Sequence, residues 1–363
     1  MGGELFVDVA GIDQLHNQLR RASDDAANTL EYVQRHCDLS PVQQGLFVQA
    51  LTTHEVAYLG MTTALSRLRS LADNTATQVN SAQVAYARTD LDAAADLDRS
   101  YPGATDANVL TADLTQERLQ LPAGHASFTD TVCAATLLAT PSDPAAEFWS
   151  FNPIVDLISP FAYLRQAAIW VFKHDPFELW TEWFAGDWDS YIIAGVAMSH
   201  AGATAGAIGD NLAAGAVATP VVWRGNAAEN FQDYDLRLAN AARSVDELGA
   251  AFNKLYQQSA ECAKNFYDVI SGFLTKMFDA LLMVSIGLAG GTAMIATLAG
   301  SVIGYSVALS YGIYAIQLYQ QISNAYTNAE NLMKAIAGSA AALKDSSDLT
   351  TMREIQPYRH PGS

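Results

Sequence analysis

From Phe231 to Phe273, apolar or small side chains recur at thirteen positions, in alternating steps of four and three. They are Phe231, Tyr234, Leu238, Ala241, Val245, Leu248, Phe252, Leu255, Ser259, Cys262, Phe266, Val269 and Phe273. A step averaging 3.5 residues keeps one face of an α-helix aligned over roughly 60 Å. A strand, whose side chains change face at every residue, cannot use such a pattern. The chain must therefore supply other long helices to cover the stripe.

Two such helices lie near the N-terminus. Between residues 11 and 36, Leu15, Leu19, Ala22, Ala26, Thr29 and Val33 share one face. A break follows at Asp38–Pro41, and Pro41 can begin the next helix. That helix carries Tyr58, Met61, Leu65, Leu68, Ala72, Thr75, Val79, Ala82 and Tyr86 in steps of three and four. Together they predict an antiparallel hairpin over residues 1–96. Residues 97–187 hold prolines at 102, 122, 141 and 144, then an aromatic run punctuated by prolines. They read as a linker with short aromatic-rich helices whose rings pack on a neighbouring bundle. A third long helix is predicted from about Asp189 to Ala218, ending near Pro220. Its Gly202, Ala205, Gly206 and Gly209 permit close approach of a partner. With the stripe helix it forms a second hairpin, 188–278.

From Ala280 to Ala329 there is no charged residue. Residues 280–298 and 302–319 each approach the roughly 20 residues that cross a bilayer. The small-residue pairs Gly287 with Gly291, and Gly300 with Gly304, let helices pack closely. An apolar helical hairpin is predicted over 279–344. Two readings of it stay open: a membrane-inserting hairpin, or a pair buried in a soluble bundle or oligomer core. The tail, 345–363, is polar and expected to be flexible.

Composition narrows function. Lys and Arg number 20 against 38 Asp and Glu, for a formal charge of −18. Such a chain repels nucleic acid and anionic lipid headgroups, and no nucleic-acid partner is expected. The cysteines Cys37, Cys133 and Cys262 are too widely spaced for a zinc site or disulfide framework. The seven histidines are scattered, and no HExxH, GxSxG or phosphate loop is present. His174-Asp175 reads as a surface pair. No enzyme, cofactor or metal site is expected. The N-terminal residues show no basic stretch leading into an apolar one, so no cleaved secretory signal is expected.

Between the second pair of long helices lies Trp223-Arg224-Gly225, followed by Asn226-Ala227-Ala228. The glycine suits a tight connection, and Asn226 is placed to cap the helix that follows. A tryptophan and glycine so placed between two amphipathic helices resemble the WXG family of type VII (ESX) secretion substrates, over residues 189–273. The preceding Glu178–Trp188 segment is similar to what precedes this hairpin in long actinobacterial members. The first hairpin resembles the small ESX-secretion-associated excreted proteins. It ends in Tyr86-Ala-Arg-Thr-Asp90, which matches that family's Y-x-x-x-D/E export signal. The chain has two such pairs, the other being Tyr326 with Glu330, about as many as chance provides in this composition. Only Tyr86 directly follows a two-helix unit.

The resemblance implies an all-α, elongated bundle of two antiparallel hairpins plus an apolar C-terminal pair. In the family, the W-x-G turn and the tyrosine motif meet at one bundle end; here one polypeptide carries both. Tyr86, Asp90, Trp223 and Gly225 are the implied export signal. The implied partners are the secretion ATPase and a dedicated chaperone, and the implied location is outside the cell or on its surface. The expected function is an effector acting by helical assembly, as a homo-oligomer, or by membrane insertion. The alternative is a structural or delivery module of the apparatus that carries a separately encoded toxin.

Overall fold

Asp8 starts the first long helix by accepting from the Ala10 N–H, an Asx cap on donors that have no helical partner. In this computed structural model the described residues are 5–39, 45–121, 128–142, 162–176, 187–293, 298–345 and 352–360. Their elements are β1 (Phe6–Val7), α1 (Val9–His36), α2 (Gly45–Arg88), α3 (Leu91–Arg99) and α4 (Ala107–Gln120). A 3-10 turn (Ala134–Leu137) and α5 (Ala162–Phe172) follow. Then come α6 (Trp188–Val222), β2 (Trp223–Arg224), α7 (Asn226–Ala293) and α8 (Leu298–Lys344). The all-helical expectation holds. Among the described residues, strand pairing is confined to the two-residue ladder of β1 with β2.

Helices α1 and α2 run antiparallel. The His16 ring meets the Ala76 carbonyl at 2.9 Å, Arg20 pairs with Asp73, and Gln83 reaches the Val9 carbonyl at 3.3 Å. The apolar face of α1, from Leu15 to Val33, is buried, as is that of α2 from Met61 to Ala82. Helices α6 and α7 form a tighter antiparallel pair. A Cβ on Gly202 would lie 2.9 Å from the Val245 carbonyl, and one on Gly209 would lie 2.6 Å from that of Ala239. The small residues of α6 therefore bring the two backbones into contact. The pairs close into a four-helix core, with α1 against α6 and α2 against α7. Helix α4 clips onto its side through Glu117, which accepts two bonds from Arg243.

Helix α6 continues past Pro220 to Val222 instead of ending near it. Proline offers no N–H to the Ala216 carbonyl. Gln232 Nε2, on α7, donates to that carbonyl at 2.9 Å, so the helix survives its proline.

The domain boundary expected at 278/279 falls inside one continuous helix, since α7 spans 68 residues. No breaker interrupts it there; what changes is its partner. The buried face leaves the strict stripe after Phe266 and continues through Ile270, Leu274, Met277, Leu281 and Val284, while Val269 is exposed. Gly195 on α6 already faces Tyr256, so α6 runs out near this point and α8 takes over.

Helices α7 and α8 form the apolar hairpin, with the Cys262 thiol on the Ala329 carbonyl at 3.6 Å and Phe266 against Tyr326. Their outer faces stay open: Ile286 is 54% exposed, Leu309 60% and Ile313 52%. Among the described residues, two helices, α6 and α7, contain stretches long and apolar enough to cross a membrane. That of α6 is mostly buried, whereas only a third of that of α7 is. Helix α5 lies along this hairpin, with Phe172 on Tyr319. Pro41, the linker prolines 122 and 144, and the aromatics Trp149, Trp180 and Trp183 lie outside the described residues.

The tail corrects the sequence reading. Residues 352–360 are seated on the bundle rather than flexible, and Met352, Ile355, Tyr358 and His360 are buried. Arg67 donates to the Ile355 carbonyl, and Gln78 Oε1 accepts from the His360 N–H at 3.0 Å. The segment reads as polar because its buried positions are interleaved with Arg353, Glu354, Gln356 and Arg359.

Candidate recognition site at one end of the bundle

The turn between α6 and α7 is built from both sides. Trp223 leaves the helix in an extended conformation, and its N–H donates to the Thr219 carbonyl. It then pairs with Val7, as Arg224 does with Phe6. The Arg224 guanidinium lies over the Phe6 ring at 4.6 Å, a cation–π contact. Gly225 has φ +131°, which only glycine adopts readily. A Cβ there would also lie 2.6 Å from the Asp98 carboxylate. Conformation and space both require glycine.

That Asp98 is what caps α7. Its carboxylate accepts from Asn226 N at 2.8 Å and Ala227 N at 3.0 Å, and the residue is only 4% exposed. A negative charge on the first N–H groups of a helix opposes the positive end of its dipole. Asn226, expected to be the cap, instead uses its carboxamide to donate to the carbonyls of Asp98 and Tyr101. The cap comes from α3, in the linker region.

Tyr86, Asp90, Trp223 and Gly225 are brought to one end of the bundle. The Tyr86 ring meets the Trp223 ring edge-on, with centroids 6.1 Å apart. Trp223 is fully buried and also touches Phe231 and His360. Burial pushes the Tyr86 hydroxyl up to about 12, with the nearby Trp223 N–H opposing. The indole N–H nevertheless completes no hydrogen bond. Asp90 is exposed and caps α3, accepting from the Asp92 N–H at 2.9 Å. The stretch from Tyr86 to Asp98 thus wraps round the Trp-Arg-Gly turn. Beside it a groove of about 510 Å³ is lined by Phe6, Leu110, Leu114, Arg224 and Glu229.

The other tyrosine–acid pair sits within α8. Tyr326 packs on Phe266, and Glu330 pairs with Lys334 at 2.8 Å. In the apolar hairpin, Gly287 faces Gly304 directly: a Cβ on Gly287 would lie 2.8 Å from the Gly304 carbonyl. Gly291 and Gly300 lie within α7 and α8, but their surroundings are outside the described residues.

Reasoning from sequence missed Asp98, Tyr358 and His360. His360 lies 6.0 Å from the rings of both Tyr86 and Trp223. Tyr358 packs on Phe231 and Tyr234. Beneath them Asp235 is fully buried; desolvation holds its carboxyl well above the usual range, and neither oxygen finds a partner. Cys37 and Cys262 are buried and Cys133 is exposed. Burial pushes the Cys37 thiol up to about 12. No cluster of three metal-ligating side chains occurs among the described residues.

No protein-family model, curated protein or solved structure matches this chain.

Proposed function

We propose that this chain is a cargo of a type VII secretion system, read through a two-part site made by Tyr86–Asp90 and Trp223–Gly225. The supporting observation is the edge-on contact of Tyr86 with Trp223, at one end of a four-helix core made by two hairpins of one polypeptide. A reader at that end meets the exposed Asp90 and the partly buried Tyr86. The secretion ATPase and a dedicated chaperone are the partners this reading requires.

After export the α7–α8 hairpin is the working part, by assembly with further copies or by insertion into a membrane. Its support is the exposed apolar side chains Ile286, Leu309, Ile313 and Ile316 on a stretch without charge. Catalysis has no place in this proposal.

Tyr86→Ala and Asp90→Ala test it in a host with an active type VII system. Neither residue is fully buried, so both variants should keep the parent's circular dichroism spectrum. Loss of the folded protein from the culture fluid is the expected result. Export of both variants at the parental level would overturn the reading.

A further inference from the structure

The seated tail lies against the Tyr86 end of the bundle. Ile355 and His360 are held at Arg67 and Gln78, eleven residues apart on α2. Eleven helical residues rise about 16 Å. Five residues of extended chain reach about the same distance. The segment therefore runs along α2 as a nearly stretched strap, in the direction of the Tyr86 end. Its last two buried side chains finish on the recognition site. Tyr358 fills the space between Phe231 and Tyr234, and His360 closes over Tyr86 and Trp223.

The seat is apolar in its contacts but poorly satisfied in its polar groups. The Tyr358 hydroxyl and the Asp235 carboxyl complete no hydrogen bonds. Buried polar groups without partners weaken a closed state, and opening it returns them to water. A strap built for permanence would satisfy them.

We propose that residues 352–360 form a displaceable cover over the Tyr86–Trp223 site, which is fully accessible to a reader only when the strap lifts. This rests on the reading of that site as an export signal. Its geometry can be tested independently of export.

The experiment uses the full chain with the tail altered (Tyr358→Ala with His360→Ala) or the seat altered (Gln78→Ala). Gln78 is partly exposed, so the second variant guards against a failure to fold, which circular dichroism monitors. Acetylation of Tyr86 by N-acetylimidazole, mapped by mass spectrometry, reports access to the site. A several-fold rise is expected in both variants, and a synthetic peptide of residues 352–360 should reverse it in the tail variant. The exported fraction should rise with it in a host carrying the system. Unchanged acetylation in both variants would overturn the cover, whatever Tyr86 does. Raised acetylation with export at the parental level would overturn its regulatory role. Failure of the export reading shows separately, as parental export of Tyr86→Ala.

Discussion

Replacing Asp98 tests the claim that α7 is capped from 128 residues away. In Asp98→Ala, the Asn226 and Ala227 N–H groups lose their acceptor in a site only 4% exposed. An N-cap is worth about 0.5–2 kcal/mol, and a charge at a partly buried helix end adds up to about 2 kcal/mol. The expected loss is therefore about 3 kcal/mol. Asp98→Asn keeps an acceptor but loses the charge, and should cost about half as much. Asn226→Ala removes only the carboxamide bonds to Asp98 and Tyr101, worth about 1 kcal/mol. Urea unfolding followed by circular dichroism gives the order, provided the slope with denaturant is unchanged. Hydrogen exchange over residues 226–231 should quicken in Asp98→Ala more than elsewhere in α7. If Asn226→Ala proved the more damaging of the two, the cap would belong to Asn226 and the account of this turn would fail.

Three further outcomes follow from buried groups. Gly225→Ala combines a φ of +131° with a Cβ 2.6 Å from Asp98, and should cost at least about 2 kcal/mol in the same unfolding assay. His54 is held down to about 4 by burial, and its Nδ1 lies 2.7 Å from the Tyr256 hydroxyl. The folded state resists protonating it, so about 3 kcal/mol of stability is lost as pH falls from about 6.5 to about 4. His54→Gln should flatten that limb of a stability-against-pH curve. Asp235 has the opposite sign. Its carboxyl is raised, so its contribution is full below about pH 4 and declines as pH rises towards the folded value. Asp235→Asn should remove that decline and be the more stable chain at neutral pH; a less stable variant there would refute the assignment of an unpaired buried carboxyl.

The helical core was legible because burial repeats with the helix. Leu15, Leu65, Val245 and Phe252 sit on their stripes in the sequence and in the core of the structure. The stripe misled only after Phe266, where the partner of α7 changes from α6 to α8. A periodicity can tell that a face is covered, but not by what. The same limit hid the end of the tail: Tyr358 and His360 are single residues in a polar string, with no period to mark them.

The Trp-Arg-Gly turn shows a different limit. Its local logic was half right: the glycine is required, but the cap beside it was misplaced. A cap is chosen by distance, and Asn226 was the only suitable side chain close in sequence. Asp98 wins because a full charge in a dry site binds two N–H groups better than a neutral carboxamide binds one. That choice links the two halves of the site. Asp98 ends the stretch that begins at Tyr86, and its carboxylate begins the helix that follows Trp223. Tyr86 and Trp223 are therefore held by one tether, and a change at Asp98 should loosen both. A side chain that neither motif contains thus sets the distance between them.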